Sequence, residues 1–168
     1  IIAPKGEYLE KITALGCRYL DTPLERRGMN PLKDIRLFLC YCKLIKRLKP
    51  DYVLTYTIKP NVYGGAACRI CKVPYSINIT GLGTAFQKQG LVRKLVVKMY
   101  KIAGKRAHTI FFENAENCEI FLREGLVREE QVFVLNGAGV NLDYYKYLPY
   151  SENGVIHFLF VGRIMKEK

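Results

Sequence analysis

Between residues 52 and 112 the sequence contains no aspartate and no glutamate, against ten lysines and arginines. The flanks are mixed, with eleven basic and six acidic residues over 1–51 and six basic and nine acidic over 113–168. The formal net charge of +12 on 168 residues is therefore concentrated in the middle of the chain. A positive field that its own segment does not compensate selects anionic partners: nucleic acid, anionic lipid or a phosphorylated ligand.

Other absences narrow the chemistry. No apolar run approaches the roughly 18–20 residues that span a bilayer, and no stretch has the pattern of a secretory signal. Histidine occurs only at His108 and His157, far apart and each beside apolar residues. The Cys68-x-x-Cys71 pair therefore lacks the second ligand pair that a zinc site needs. It also lies near the end of a helical pattern, just before Lys72-Val73-Pro74, whereas a thioredoxin-like pair occupies a strand-to-helix junction. The six cysteines, at 17, 40, 42, 68, 71 and 118, fall mostly in apolar, helix-like contexts. They read as reduced thiols of a cytosolic protein, with Cys68 and Cys71 as buried core thiols. No serine–histidine or cysteine–histidine arrangement is visible, no catalytic residue can be named, and no metal is expected.

What is present is a hydrophobic content of 49% and a charged content of 25%, those of a globular protein. Short apolar β runs alternate with helical periods. Strands are predicted at 1–3, 17–20, 52–56, 75–79, 109–112, 132–135 and 155–161. Helices are predicted at 7–15, 31–48 (proline at the first helical position), 60–71, 91–106 and 114–124. This alternation implies right-handed βαβ units and a parallel sheet. "YVLTY", "YSINI" and "TIFF" are too apolar to face water on one side, so the sheet should be covered on both faces. The expected fold is α/β, a Rossmann-like parallel sheet with helices on both faces. Residues 146–154, "KYLPYSENG", read as a linker. The opening "IIAPKG" and the closing "FLFVGRIMKEK" both read as cut edges of a longer chain.

Ligands of open parallel sheets bind beyond the carboxyl ends of the strands. Four features there are distinctive. "TIKPNVYGG" enters a helix whose free N–H groups favour an anion, and Gly64-Gly65 inside it implies close packing on the sheet. "TGLGTAFQKQG" has three glycines that let a ligand approach the backbone. It is neither a Walker loop, lacking the lysine-serine ending, nor a dinucleotide fingerprint, lacking the third glycine. In the following helix Lys94, Lys98, Lys101 and Lys105 form one basic stripe, opposite an apolar side of Leu91, Leu95, Val96, Met99, Ile102 and Ala103. Such a helix suits an anionic membrane surface. In "NGAGVNLDYY", Gly137 and Gly139 supply backbone freedom and Asn141 is placed to cap a helical turn.

The ordered set "PLERRGMNPLKD", "TIKPNVYGG", "NITGLGTAF", "FFENAEN", "LNGAGVNLDYY" and "FLFVGRIMKEK" resembles the N-terminal half of a retaining family-4 glycosyltransferase of the GT-B fold. The likeness is to bacterial members that extend lipid-linked glycans for capsule, O-antigen or glycoprotein assembly. It implies that 1–145 are an acceptor domain without its first strand, 146–154 the linker, and 155–168 the first strand and loop of a donor domain. It implies acceptor binding by Lys59, Thr80, Gly81, Gly83 and Asn114. Donor binding falls to Gly137, Gly139, Arg163 and Lys168, the last two as cations on the donor diphosphate. By the same likeness, a sugar passes with retention from a nucleotide-sugar, a UDP-sugar, to a polyprenyl-diphosphate-linked saccharide. The transferred group would be a hexosyl or N-acetylhexosaminyl residue. No cofactor is expected beyond the co-substrate. The location would be cytoplasmic and peripheral, on the inner membrane face. The chain alone would be inactive. The histidine that many members carry on the loop matching "TGLG" is absent. Either backbone groups and Thr80 serve in its place or the loop aligns differently. Two alternatives are a basic nucleic-acid-binding domain, disfavoured because only Tyr100 interleaves the lysine stripe, and a non-transferase GT-B enzyme such as a sugar-nucleotide epimerase.

Overall fold

In the computed structural model, the described residues are 1–25, 30–83, 86, 90–149, 154, 156 and 158–162. Helix α1 (Leu9–Ala14) is short and buries nothing. Helix α2 (Pro31–Leu48) begins where Asn30 accepts hydrogen bonds from the Leu32 and Lys33 amides, with Pro31 at its first position. It stops at Lys49, whose left-handed φ of 46° precedes Pro50. These bounds are the predicted ones, because start and stop signals are both local. Leu37, Tyr41, Leu44 and Ile45 form its buried stripe.

Strand β1 (Val53–Tyr56) leads through a π-helical turn (Pro60–Gly64) into α3 (Gly65–Cys71). Strand β2 (Tyr75–Ile79), helix α4 (Leu91–Gly104), strand β3 (Ile110–Phe112), helix α5 (Ala115–Arg123) and strand β4 (Val132–Val134) follow. The four strands are parallel in the order β1-β2-β3-β4. The fold is thus the expected α/β parallel sheet. Thr55, Tyr75, Ile77, Ile79, Ile110 and Phe112 are all buried, most of them within one core with the helices. The glycine pair does what its position implied. A Cβ on Gly64 would lie 3.2 Å from the Thr55 methyl, and one on Gly65 3.2 Å from Ala103 Cβ.

Other expectations are corrected. The predicted strands at 1–3 and 17–20 reduce to a single parallel bridge, Ile2 to Leu20, outside the four-stranded sheet. An isolated strand pair has no flanking ladder to extend it. Of the predicted strand at 155–161, residues 155 and 157 lie outside the described set. Ile156 and 158–161 carry no strand structure, and Phe158 is 96% exposed. These apolar side chains have no sheet among the described residues to pair with. The 60–71 helix is divided, its first turn widened to a π-helix. Cover of the sheet is complete only on β2, where all five residues are buried. On the side of β1 opposite Thr55, Leu54 and Tyr56 are half exposed, as is Phe133 in the same cross-strand row.

Candidate functional site

Because neighbouring strands are parallel and in sequence order, the loops after β1, β2, β3 and β4 line one edge side by side. Thr57, just beyond β1, has φ of 67°. That left-handed conformation is costly for a β-branched residue. Next, Lys59 Nζ donates to Asp34 Oδ1 at 2.7 Å, and both side chains are largely buried, 15% and 12% exposed. Asp34 comes from the first turn of α2, which begins at this same edge. Burial first, then the charge and hydrogen bond of Asp34, push the Tyr63 phenol up to about 12. Asn61, fully buried in the π-turn, donates to the Asn78 carbonyl at 2.8 Å and so ties this loop to the end of β2.

The loop after β2 leans on the loop after β1. Gly83 has φ of 64°, a left-handed backbone that favours glycine, and a Cβ there would meet the tip of Ile58, Cδ1, at 2.9 Å. Thr80 is exposed and Gly81 partly so. Further along, Phe86 stacks on Phe121 at 5.7 Å and Arg93 lies over its ring at 5.9 Å. Arg93 is also ion-paired with Glu124. This aromatic cluster includes Tyr100, whose hydroxyl burial pushes up to about 12.

After β3, Asn114 accepts from the Asn117 amide at 2.8 Å and caps α5. Its side-chain oxygen is used by the helix start. After β4, Gly137 and Gly139 have φ of 88° and 76°, in open space. Asn141 accepts from the Asp143 and Tyr144 amides, the capped turn that its position implied. The structure thus brings Lys59, Thr80, Gly81, Gly83, Asn114, Gly137 and Gly139 to one edge of the sheet. Arg163 and Lys168 lie outside the described residues.

The lysine stripe belongs elsewhere. Lys94, Lys98 and Lys101 are exposed on α4, and Lys105 is exposed at its C-cap. Leu91, Leu95 and Ile102, expected on the packed side, are 84%, 55% and 44% exposed. The core takes Ala103, as expected, together with Tyr100 and Gly104, and Val96 and Met99 pack partly buried against it. At 100° per residue, Leu91, Leu95 and Ile102 form an outer ridge with all four lysines along one flank. Beside Ile102 a shallow cavity of about 300 Å³ is lined by Ala66, Arg69, Ile70 and Arg106 as well. Another, of about 290 Å³, lies at the start of α2, lined by Thr22, Pro23, Leu24, Glu25, Lys33 and Arg36.

Among the described residues no three histidine, cysteine, aspartate or glutamate side chains converge as metal ligands. Of the C-x-x-C thiols, Cys68 is a core group and Cys71 is only partly buried against the core. Burial first, then the neighbouring Cys71 and Cys42, push Cys68 up to about 12. No helix of the described residues is long and apolar enough to cross a membrane. Sequence reasoning missed Asp34 and Tyr63. An acid in a first helical turn has a sufficient local explanation in the helix dipole, and nothing in the chain marks a partner 25 residues away.

The chain is 31% identical over 154 residues to the N,N'-diacetylbacillosaminyl-diphospho-undecaprenol alpha-1,3-N-acetylgalactosaminyltransferase of Campylobacter jejuni, covering 89% of this chain and 40% of that protein. It is 27% identical over 180 residues to the UDP-Gal:alpha-D-GlcNAc-diphosphoundecaprenol alpha-1,3-galactosyltransferase of Escherichia coli, covering 98% and 44%. It therefore spans less than half the length of these relatives. Two solved structures share the fold. A glycosyltransferase from Rickettsia africae has a TM-score of 0.63 at 17% identity, over 87% of this chain and 36% of the other. Anabaena HepE, solved with UDP and glucose, has a TM-score of 0.61 at 16% identity, over 86% and 37%. Residues 1–114, two-thirds of the chain, match the glycosyl transferase 4-like family. The chain belongs to that family.

Proposed function

We propose that this chain is the acceptor half of a transferase that moves a sugar from a nucleotide-sugar onto a polyprenyl-diphosphate-linked saccharide, with retention, at an anionic membrane surface. The observation that carries the membrane part is the outer side of α4. It joins an exposed apolar ridge, Leu91, Leu95 and Ile102, to Lys94, Lys98, Lys101 and Lys105, in a segment with no acid. An apolar ridge flanked by lysines enters the headgroup boundary of a bilayer while the ammonium groups meet lipid phosphates. Nucleic acid has no comparable platform there, since Tyr100 is buried.

The activities for which the two relatives are named, both on undecaprenyl-diphosphate-linked sugars, support the acceptor class. Lys59, Thr80, Gly81, Gly83 and Asn114 form the acceptor side of the edge. Gly137 and Gly139 stand where a donor-bearing second half would face it, with Arg163 and Lys168 as its diphosphate cations. Two cations placed on a leaving nucleoside diphosphate stabilise the charge that grows there, so no metal is required. The transferred group is a hexosyl or N-acetylhexosaminyl residue. The 168-residue chain alone does not turn over.

The test is flotation with vesicles of phosphatidylglycerol and phosphatidylethanolamine. Binding that weakens as salt rises is expected. Failure to float, together with tight binding of single-stranded DNA, overturns the membrane reading, and turnover of a UDP-sugar by this chain alone overturns the assignment of halves.

A further inference from the structure

Three locally costly features coincide at the end of β1. Thr57 is β-branched with φ of 67°, Pro60–Gly64 is wound as a π-helix, and Lys59 and Asp34 form an ion pair largely withdrawn from water. Each is destabilising beside its ordinary alternative, and such departures gather where a site must be held in shape. The edge on which they fall is where ligands of a parallel sheet bind.

The chemistry of the pair is specific. An ammonium has three donors and a carboxylate accepts at two oxygens. One Nζ–H is committed to Asp34 Oδ1 at 2.7 Å, and Asp34 also accepts from the Tyr63 hydroxyl. The remaining donors and lone pairs stand side by side, with the partial exposure of 15% and 12% as their access. Opposite charges at this spacing nearly cancel at a distance, so the pair exerts little pull on a phosphate. A phosphate brought into contact would meet the Asp34 carboxylate as well as the ammonium. Vicinal hydroxyls of a sugar ring suit the pair better, since each hydroxyl both donates and accepts.

We infer that Asp34 and Lys59 form a joint donor–acceptor site for saccharide hydroxyls, and that Lys59 does not serve as a phosphate-binding cation. The inference rests on the acceptor role proposed above for this edge and names the part of the acceptor recognised there: its sugar, not its diphosphate.

NMR titration of the 168-residue chain with N-acetylglucosamine, and separately with inorganic pyrophosphate, tests it. The sugar is expected to shift resonances of residues 57–59 and 80–83. Asp34→Asn should weaken that binding by about tenfold, the value of one charge-assisted hydrogen bond. Tighter pyrophosphate binding in Asp34→Asn, with sugar binding unchanged, would show a phosphate site that Asp34 restrains and would overturn the inference. Lys59→Arg keeps the ion pair and serves if Asp34→Asn does not fold. Several-fold weaker sugar binding is expected from the displaced donors, and unchanged binding means that the pair only braces the fold. Sugar binding at this edge that neither variant affects overturns the inference and leaves the acceptor reading standing. Absence of sugar shifts anywhere on the edge in the unaltered chain overturns both.

Discussion

A Cβ built on Gly65 lies 3.2 Å from the Cβ of Ala103 and 3.3 Å from the ring of Tyr75. Helices α3 and α4 therefore meet almost backbone to backbone over the centre of the sheet. The glycine costs α3 about 1 kcal/mol of helix propensity, offset by the close approach it permits. Gly65→Val is expected to lose about 1–3 kcal/mol through overpacking. Urea denaturation measures this as a lower midpoint at unchanged slope.

Thr57 gives the opposite sign. Its left-handed backbone, φ of 67°, is strained for a β-branched side chain, and glycine adopts it freely. Thr57→Gly is expected to be neutral or to stabilise the fold by about 1 kcal/mol, because relief of strain works against the added freedom of the unfolded chain. A clear loss of stability in the same urea assay would mean that the Thr57 side chain, and not only its backbone, holds the loop.

The sequence shows which parts of this fold rest on local signals. Asn30-Pro31 opens α2, and Lys49 before Pro50 closes it, so its bounds follow from neighbours along the chain. The five residues of β2 are legible because a central parallel strand is buried on both faces. Pairing that depends on a partner far along the chain is not legible. Residues 17–20 have strand composition but secure only the Leu20 bridge. Phe158 has it too and stays exposed. Helix α4 carries apolar residues on two sides, and periodicity cannot say which side the core takes. Tyr100, Ala103 and Gly104 are chosen because α3 and the sheet offer them a close surface, which leaves Leu91 and Leu95 outside. At the site, the glycines were readable as such, whereas the partner of Lys59 was not.

Alkaline pH should unfold the protein through its buried phenols. Tyr41, Tyr75 and Tyr100 are each pushed up to about 12 from 10.0, with burial the largest cause. Cys68 is pushed to about 12 from 9.0, also chiefly by burial. These groups stay protonated longer in the folded chain than in the unfolded one. Their contribution is complete below about pH 9 and is lost as pH rises toward 12. Stability is therefore expected to be level up to about pH 9 and then to fall steeply. Absorbance of tyrosinate should rise in step with loss of the helical circular dichroism signal. Tyrosinate that forms fully by pH 11 with the fold intact would contradict the burial of these rings.

The outer ridge of α4 separates membrane binding from folding. Leu91 is 84% exposed and Leu95 55% exposed, so replacing both by glutamate removes little core contact and should change stability by less than about 1 kcal/mol. Both positions would enter the headgroup boundary if the ridge docks there, and an acid at that depth is repelled by anionic lipid. Leu91→Glu/Leu95→Glu is expected to abolish flotation with phosphatidylglycerol vesicles while leaving the urea midpoint in place. Lys98→Ala/Lys101→Ala tests the electrostatic share on its own. At about 1 kcal/mol for each lysine near such a surface, the pair should lower vesicle binding by roughly thirtyfold at low salt and by much less at high salt. A loss that is equal at both ionic strengths would assign the lysines to packing rather than to charge.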